Sequence, residues 1–368
     1  PLRAVPAARS AQRARLMRRS TVGSREDDVD GAVRPVLVAP DKFKGSLTAV
    51  EVANALVAGL RVGAPDVAPR IAPVADGGDG TVTAALAQGF RALPARVTGP
   101  LGAPVDTEIA VHGDTAVVEL ASASGLALAP ELAPLTATSF GTGELIGAAL
   151  DAGAREIVLG VGGSACTDGG AGMLAALGAV LTDASGDSLP HGGGPLRDLN
   201  AVDLSTLDER LDRVEIVLAS DVDNVLLGPT GAAHVYGPQK GADAAQVELL
   251  DAALSRWARA VVAAGGRDAA EEPGAGAAGG VGFAALSALG ARSRAGTALL
   301  LDLVDFDDRL ADCGLVITGE GLLDEQTLHG KAPSGVATRA ARAGVPVIAV
   351  AGACDLPPSR LREAGFTS

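Results

Sequence analysis

From Pro35 onward, short aliphatic runs alternate with longer Ala-rich stretches in which apolar residues recur at helical spacing. The runs VLVAP (36–40), RIAPVA (70–75), TAVVEL (115–120), EIVLGV (156–161), EIVLAS (215–220), LVITGE (315–320) and VPVIAVAG (345–352) predict strands. They are almost continuously apolar, as strands buried on both faces must be. The spacing predicts helices over 48–61, 79–90, 142–153, 171–179, 243–265 and 333–344. Repeated strand-then-helix order is the pattern of a parallel sheet covered on both faces, so the expected class is α/β. In such sheets, ligands bind beyond the carboxyl ends of the strands, where the chain turns into the next helix.

Those turns are the unusual part of this chain. They read PDKFKGSLT, ADGGDGT, GVGGSACTDGGAG, SDVDNVLLGPTGAAHVYGPQKGAD and TGEGLLDEQTLHGKAPSG, each setting a carboxylate or a lysine among Gly, Ser and Thr. Turn chemistry accounts for the Gly, Asn and Asp. It does not account for the lysines. Of 30 basic residues only four are Lys (42, 44, 240 and 331), and all four fall in these loops. A lysine is a compact charge on a flexible stem, suited to a phosphate oxygen or a carboxylate, whereas arginine prefers a planar two-pronged partner. Lys44, Lys240 and Lys331 are therefore candidate charge carriers, and Lys42 is set aside as the one whose placement chance explains best.

The loop GVGGSACTDGGAG, with Ser164 and Thr167 ahead of a helix, could bind an anion through backbone N–H groups. A rival reading exists, because Gly160, Gly162 and Ala165 fit GxGxxA and Asp183 follows at dinucleotide-fingerprint distance. Against it, Asp168 would place a negative charge beside the pyrophosphate. No GxxxxGK[ST] is present, since Glu325 and Ala332 occupy the key positions before and after Gly330-Lys331. The strand-end acids Asp41, Asp76, Asp79, Asp168, Asp221, Asp223, Glu320 and Asp324 are hard oxygen donors suited to Mg²⁺. One of them could take a proton from a substrate hydroxyl, and others must cap helices. No GxSxG motif supports a nucleophilic hydrolase.

Composition narrows the partners. The chain has 368 residues and a formal charge of −14, with aromatics at 2%. An acidic chain with few rings lacks both the electrostatic footprint and the stacking surface of a nucleic-acid binder. No run approaches the ~18 apolar residues of a membrane span. Cys166, Cys313 and Cys354 are too far apart for a CxxC site, and an odd count fits a reduced, cytoplasmic setting. Residues 1–33 carry Arg3, Arg9, Arg13, Arg15, Arg18 and Arg19 with no acid before Glu26, the composition of a transit peptide or a translated upstream leader. They are expected to be a disordered extension outside the fold.

The runs APDKFKGSLTA, VADGGDGT, GVGGSACTDGGAGMLAALGA, SDVDNVLLGPTGAAHVYGPQKGA, GAAGGVGFA and ITGEGLLDEQTLHGKAPSGVA, in that order between Val36 and Gly352, resemble the successive signatures of bacterial type I glycerate kinases. The resemblance implies transfer of the γ-phosphate of ATP to D-glycerate with Mg²⁺, giving 2-phosphoglycerate. The alternatives are a 3-phosphoglycerate product, another small hydroxy acid, or a non-catalytic acid sensor. It implies a Rossmann-like parallel-sheet domain made by both chain ends (34–75 and 296–368) and an inserted second α/β domain (76–295), in a monomer or homodimer. By position it suggests Lys44, Lys240 and Lys331 as charge stabilisers and Glu320 and Asp324 as Mg²⁺ ligands. Asp76, Asp168 or Asp221 would be the base, with Asp41, Ser46, Gly162, Gly163 and Ser164 around the substrate or phosphates. Relatives continue past the position of Ser368, so the Rossmann-like sheet is expected to lack part of its edge.

Overall fold

A computed structural model describes residues 33–367; the expectation for residues 1–33 lies almost wholly outside the described residues. The strands, in chain order, are β1 (Val36–Val38), β2 (Pro69–Ile71), β3 (Arg91–Thr98), β4 (Pro104–His112), β5 (Thr115–Glu119), β6 (Glu156–Gly160), β7 (Val180–Thr182), β8 (Ala201–Asp203), β9 (Glu215–Ala219), β10 (Arg292–Arg294), β11 (Leu315–Leu323) and β12 (Val347–Cys354). They form a four-stranded sheet in the order β12-β11-β1-β2 and a six-stranded sheet in the order β10-β9-β6-β5-β4-β3, with β7 and β8 paired separately.

All pairings in the smaller sheet are parallel. Its strands β1 and β2 are shorter than the apolar runs suggest. Pro40 lacks an N–H, yet the ladder continues irregularly, with Asp41 N–H donating to the Gly319 carbonyl (2.8 Å) and Val74 N–H to the Pro40 carbonyl (3.0 Å). The larger sheet is parallel from β10 to β5. Its other edge is not: β3 and β4 form an antiparallel hairpin, and β4 runs antiparallel to β5. The expectation of a purely parallel sheet misses this hairpin because Arg91, Pro94, Arg96 and Glu108 break the apolar run, and the strand faces alternate between core and solvent.

The expected helices form close to their predicted limits, and their starts are written in the sequence. Thr48 caps Ala49–Gly63 in a box with Glu51, and Asp243 caps Ala244–Ala263 in a box with Gln246. The two longest helices that went unpredicted are Ala277–Ser287 and Gly296–Leu303. The first is glycine-rich, and Ala278, Gly279 and Gly280 take left-handed conformations within it. Those residues lie against the 166–169 loop, where a side chain on Gly279 would collide with the Cys166 carbonyl.

The larger core surrounds Ile157, Leu159, Met173, Leu250, Trp257 and Phe283, and a second core gathers Leu37, Phe306, Val316, Val336 and Val347. Trp257 links packing to the loops, since its indole N–H donates to the Gly169 carbonyl at 2.9 Å. Full burial of the indole contributes on the order of 3 kcal/mol to the core, and its hydrogen bond ties the loop to that core.

Candidate active site

The two sheets meet at their carboxyl ends. Gly162 N–H, just past β6, donates to the Gly77 carbonyl, beyond β2, at 3.3 Å. A Cβ on Gly77 would lie 2.8 Å from the Ala219 carbonyl oxygen and 3.3 Å from Gly296 Cα, so loops from both sheets touch here backbone to backbone. Around this crossing Asp41, Asp76 and Asp221 collect, Asp76 acting electrostatically on both of the others.

Lys42, not Lys44, is the cation at its centre. Its Nζ lies 3.5 Å from Asp41 Oδ1 and 3.7 Å from Asp76 Oδ1. Burial opposes the ammonium charge, but Asp41, Asp76, Asp79 and Glu119 outweigh it and hold the Lys42 pKa above the ordinary value. Burial pushes Asp41 up to about 7, against the pull of Lys42 and with further upward pressure from Asp76 and Glu320. Lys44 is exposed on the same loop, and Ser46 is exposed with its hydroxyl donating to the Phe43 carbonyl.

A second ion cluster forms where β11 turns into the helix Ala332–Arg342. Lys331 Nζ lies 3.3 Å from Glu320 Oε2 and 3.6 Å from Asp324 Oδ1. Thr327 Oγ1 donates to Glu320 Oε1 at 2.6 Å, and the Asp324 side chain accepts the Thr327 N–H at 3.1 Å. The two acids expected to bind Mg²⁺ thus share one ammonium, Lys331, and are oriented by Thr327.

Asp221 follows β9. Its Oδ2 accepts Thr297 N–H at 3.1 Å and Thr297 Oγ1 at 3.0 Å, and the same hydroxyl lies 2.7 Å from the Gly330 carbonyl. Burial raises Asp221 to about 6, opposed by the Thr297 hydrogen bonds.

Two expected catalytic residues lie elsewhere. Asp168 is fully buried and accepts hydrogen bonds from Ser139 N–H and Oγ and from the N–H groups of Gly170 and Gly172. It is a structural knot that ties two loops, and no face of it is left for a substrate. Lys240 is also buried, its ammonium donating to the Cys166 carbonyl, and burial lowers its pKa. It braces the glycine loop from behind. Gly162 and Gly163 are reachable, while Ser164 is nearly buried and pairs with Gly125. The dinucleotide reading also fails on geometry, because Asp183 folds onto its own turn, accepting Ser185 and Asp187 N–H groups beyond the small β7–β8 pair.

Among the described residues no group of three or more His, Cys, Asp or Glu is arranged to hold a metal by itself. Mg²⁺ needs only one or two protein carboxylates. Asp76 fits that part: among the described residues its ion pair is with Lys42 and its Oδ1 also accepts Gly78 N–H at 3.1 Å, which leaves its other oxygen open.

The glycerate kinase family model matches residues 36–368. The chain belongs to the glycerate kinase family. Members similar to it include a glycerate kinase of Bacillus subtilis strain 168, 49% identical over 90% of this chain and 88% of that one. A glycerate 2-kinase of Escherichia coli strain K12 is 48% identical over 86% and 84%. A crystal structure provisionally assigned as glycerate kinase 2, from Salmonella typhimurium LT2, superposes with a TM-score of 0.79 at 43% identity, covering 90% of this chain and 94% of that one.

For this glycerate kinase family chain, sequence reasoning passed over three residues of the meeting point: Lys42, Glu119 and Thr297. Glu119 closes β5, and its carboxylate accepts Gly80 N–H (3.1 Å) and Val82 N–H (3.0 Å). It carried the same signal as the acids that were singled out, an acidic residue at the end of an apolar strand. Thr297 carried none, because its role depends on a contact with Asp221 76 positions away.

Proposed function

We propose that this chain is an ATP-dependent kinase that phosphorylates D-glycerate at its 2-hydroxyl. The observation that carries the reading is the meeting of Lys42 and Lys331 with strand-end carboxylates where the carboxyl ends of parallel strands from the two sheets come together. The relatives' names supply the substrate, and the E. coli 2-kinase supplies the position.

In this reading each ammonium, with three donors, adds phosphate oxygens to the carboxylates it already touches. Lys42 and Lys331 thereby stabilise charge that spreads over the transferring group, which is the main work of such catalysis. Lys44, exposed on the Lys42 loop, extends the positive charge outward. Asp221 accepts the substrate proton; at about 6 its pKa is better matched to neutral conditions than an ordinary carboxylate. Mg²⁺, when bound, supplies neutralisation of the triphosphate, and Asp76 would hold it. Ser46, Gly162, Gly163 and Ser164 offer hydroxyl and backbone donors to the glycerate carboxylate or to phosphate oxygens. We take the smaller sheet (34–75 and 296–368) and the larger one (76–295) as the cores of two domains, in a cytoplasmic monomer or homodimer.

The test is ADP release from ATP by the purified protein with Mg²⁺ and D-glycerate, followed by NMR of the product. Glycerate-dependent release with phosphate on the 2-position is expected. A 3-phosphate product overturns the position alone. Glycerate binding without turnover by the folded protein overturns the kinase reading in favour of an acid sensor.

A further inference from the structure

The helix Gly296–Leu303 is the segment by which the chain passes from the larger sheet, at β10, back to the smaller one, at β11. Thr297 stands in its first turn and is 3% exposed. The two halves of its side chain do different things. Its methyl is pressed onto the helix Ala332–Arg342, where a Cβ on Gly335 would overlap Thr297 Cγ2. Its hydroxyl stands between two acceptors, Asp221 Oδ2 at 3.0 Å and the Gly330 carbonyl at 2.7 Å. Gly330 immediately precedes Lys331, and its φ of +104° fixes the turn from which that lysine projects.

One hydroxyl proton therefore serves an acidic group from the larger sheet and the backbone that aims a lysine of the smaller one. Asp221 Oδ2 keeps the Thr297 N–H at 3.1 Å, but the carboxylate and the Gly330 carbonyl are both acceptors, so it takes a donor such as the Thr297 hydroxyl to join them. We propose that Thr297 is a positioning residue for phosphoryl transfer: its hydroxyl ties Asp221 to the Gly330 carbonyl and so sets Lys331 against the proton acceptor. The inference rests on the assignment of Asp221 and Lys331 to the site. The hydroxyl proton is also free to choose. When Asp221 takes a proton on its other oxygen, Oδ2 becomes the weaker acceptor and the Thr297 proton goes to the Gly330 carbonyl. The lysine turn is then held most firmly as the substrate oxygen attacks.

The experiment compares Thr297→Val, which keeps the shape and loses the hydroxyl, with Thr297→Ser, which keeps the hydroxyl and loses the methyl. For each, kcat, KM for glycerate and for ATP, and Tm are measured. Expected for Thr297→Val is a kcat lower by roughly ten- to a hundredfold with both KM values within about threefold of wild type. Thr297→Ser should recover most of kcat while melting below wild type, because it leaves a gap against Gly335. Activity would thus follow the hydroxyl, and packing would follow the methyl. Wild-type kcat in Thr297→Val, or equal loss in both variants, overturns the inference. Asp221→Asn separates the two readings: if it is inactive while Thr297→Val is fully active, only the role of Thr297 fails, and if it is fully active, the assignment of Asp221 fails with it.

Discussion

Glu119 offers the sharpest test of the electrostatics. It is 5% exposed, beside Asp79, and its carboxylate accepts backbone N–H groups from Gly80 and Val82. Burial works against its charge and the two N–H donors work for it, and burial prevails, raising the pKa from the ordinary 4.5 to about 7. An acid raised in the folded state stabilises the fold while it is protonated and loses that contribution as pH climbs through the folded value. The span from 4.5 to about 7 corresponds to roughly 3 kcal/mol, most of which is lost between about pH 5 and pH 9. Glu119→Gln keeps a carbonyl oxygen for the same N–H donors and cannot ionise. Urea unfolding of both proteins across that range should therefore show wild type losing roughly 2–3 kcal/mol relative to the variant as pH rises. Two unfolding curves that keep a constant separation would mean that Glu119 is ionised throughout, with its N–H donors outweighing burial, and would refute the reasoning.

Lys42→Met should lower kcat by roughly a hundredfold or more, because it removes the cation shared by Asp41 and Asp76 and leaves their charges facing the triphosphate; steady-state turnover within about threefold of wild type would take Lys42 out of the site. Gly162→Ala should cost about 1–3 kcal/mol and most of the activity, since its Cβ would collide with Gly78 Cα. Gly59→Ala, in the helix Ala49–Gly63 with open space around it, should instead gain about 0.5–1 kcal/mol at unchanged kcat, as thermal unfolding and the ADP assay would show.

The α/β framework was legible because buried parallel strands such as β6 and β9 are short, apolar and bounded by glycine or acid turns. The hairpin of β3 and β4 was not, since half of each strand faces water and its sequence resembles a loop. The site was legible by residue type and less so by individual. Strand-end acids and loop lysines were the residue types singled out, and of these Asp41, Asp76, Asp221, Glu320 and Lys331 lie close enough to interact electrostatically with one another or with a neighbour in the set. Which lysine faces the site is decided by one residue of loop geometry: Lys42 turns inward to Asp41 while Lys44, two positions on, is exposed. Lys240 and Asp168 share the composition of the site but face the core, a distinction of depth that spacing along the chain does not encode.

The crossing of Gly77, Gly78, Gly162 and Gly296 sets a further condition. A side chain added to any of these four would meet main-chain or Asp76 atoms, so the approach of the loops of the two sheets is fixed by the thickness of bare polypeptide. Side chains can be exchanged for longer or shorter ones over generations, but a main chain cannot be thinned. The approach of the two sheets' loops is thus the property this architecture is least able to change, whereas the side chains carried around the crossing can be exchanged.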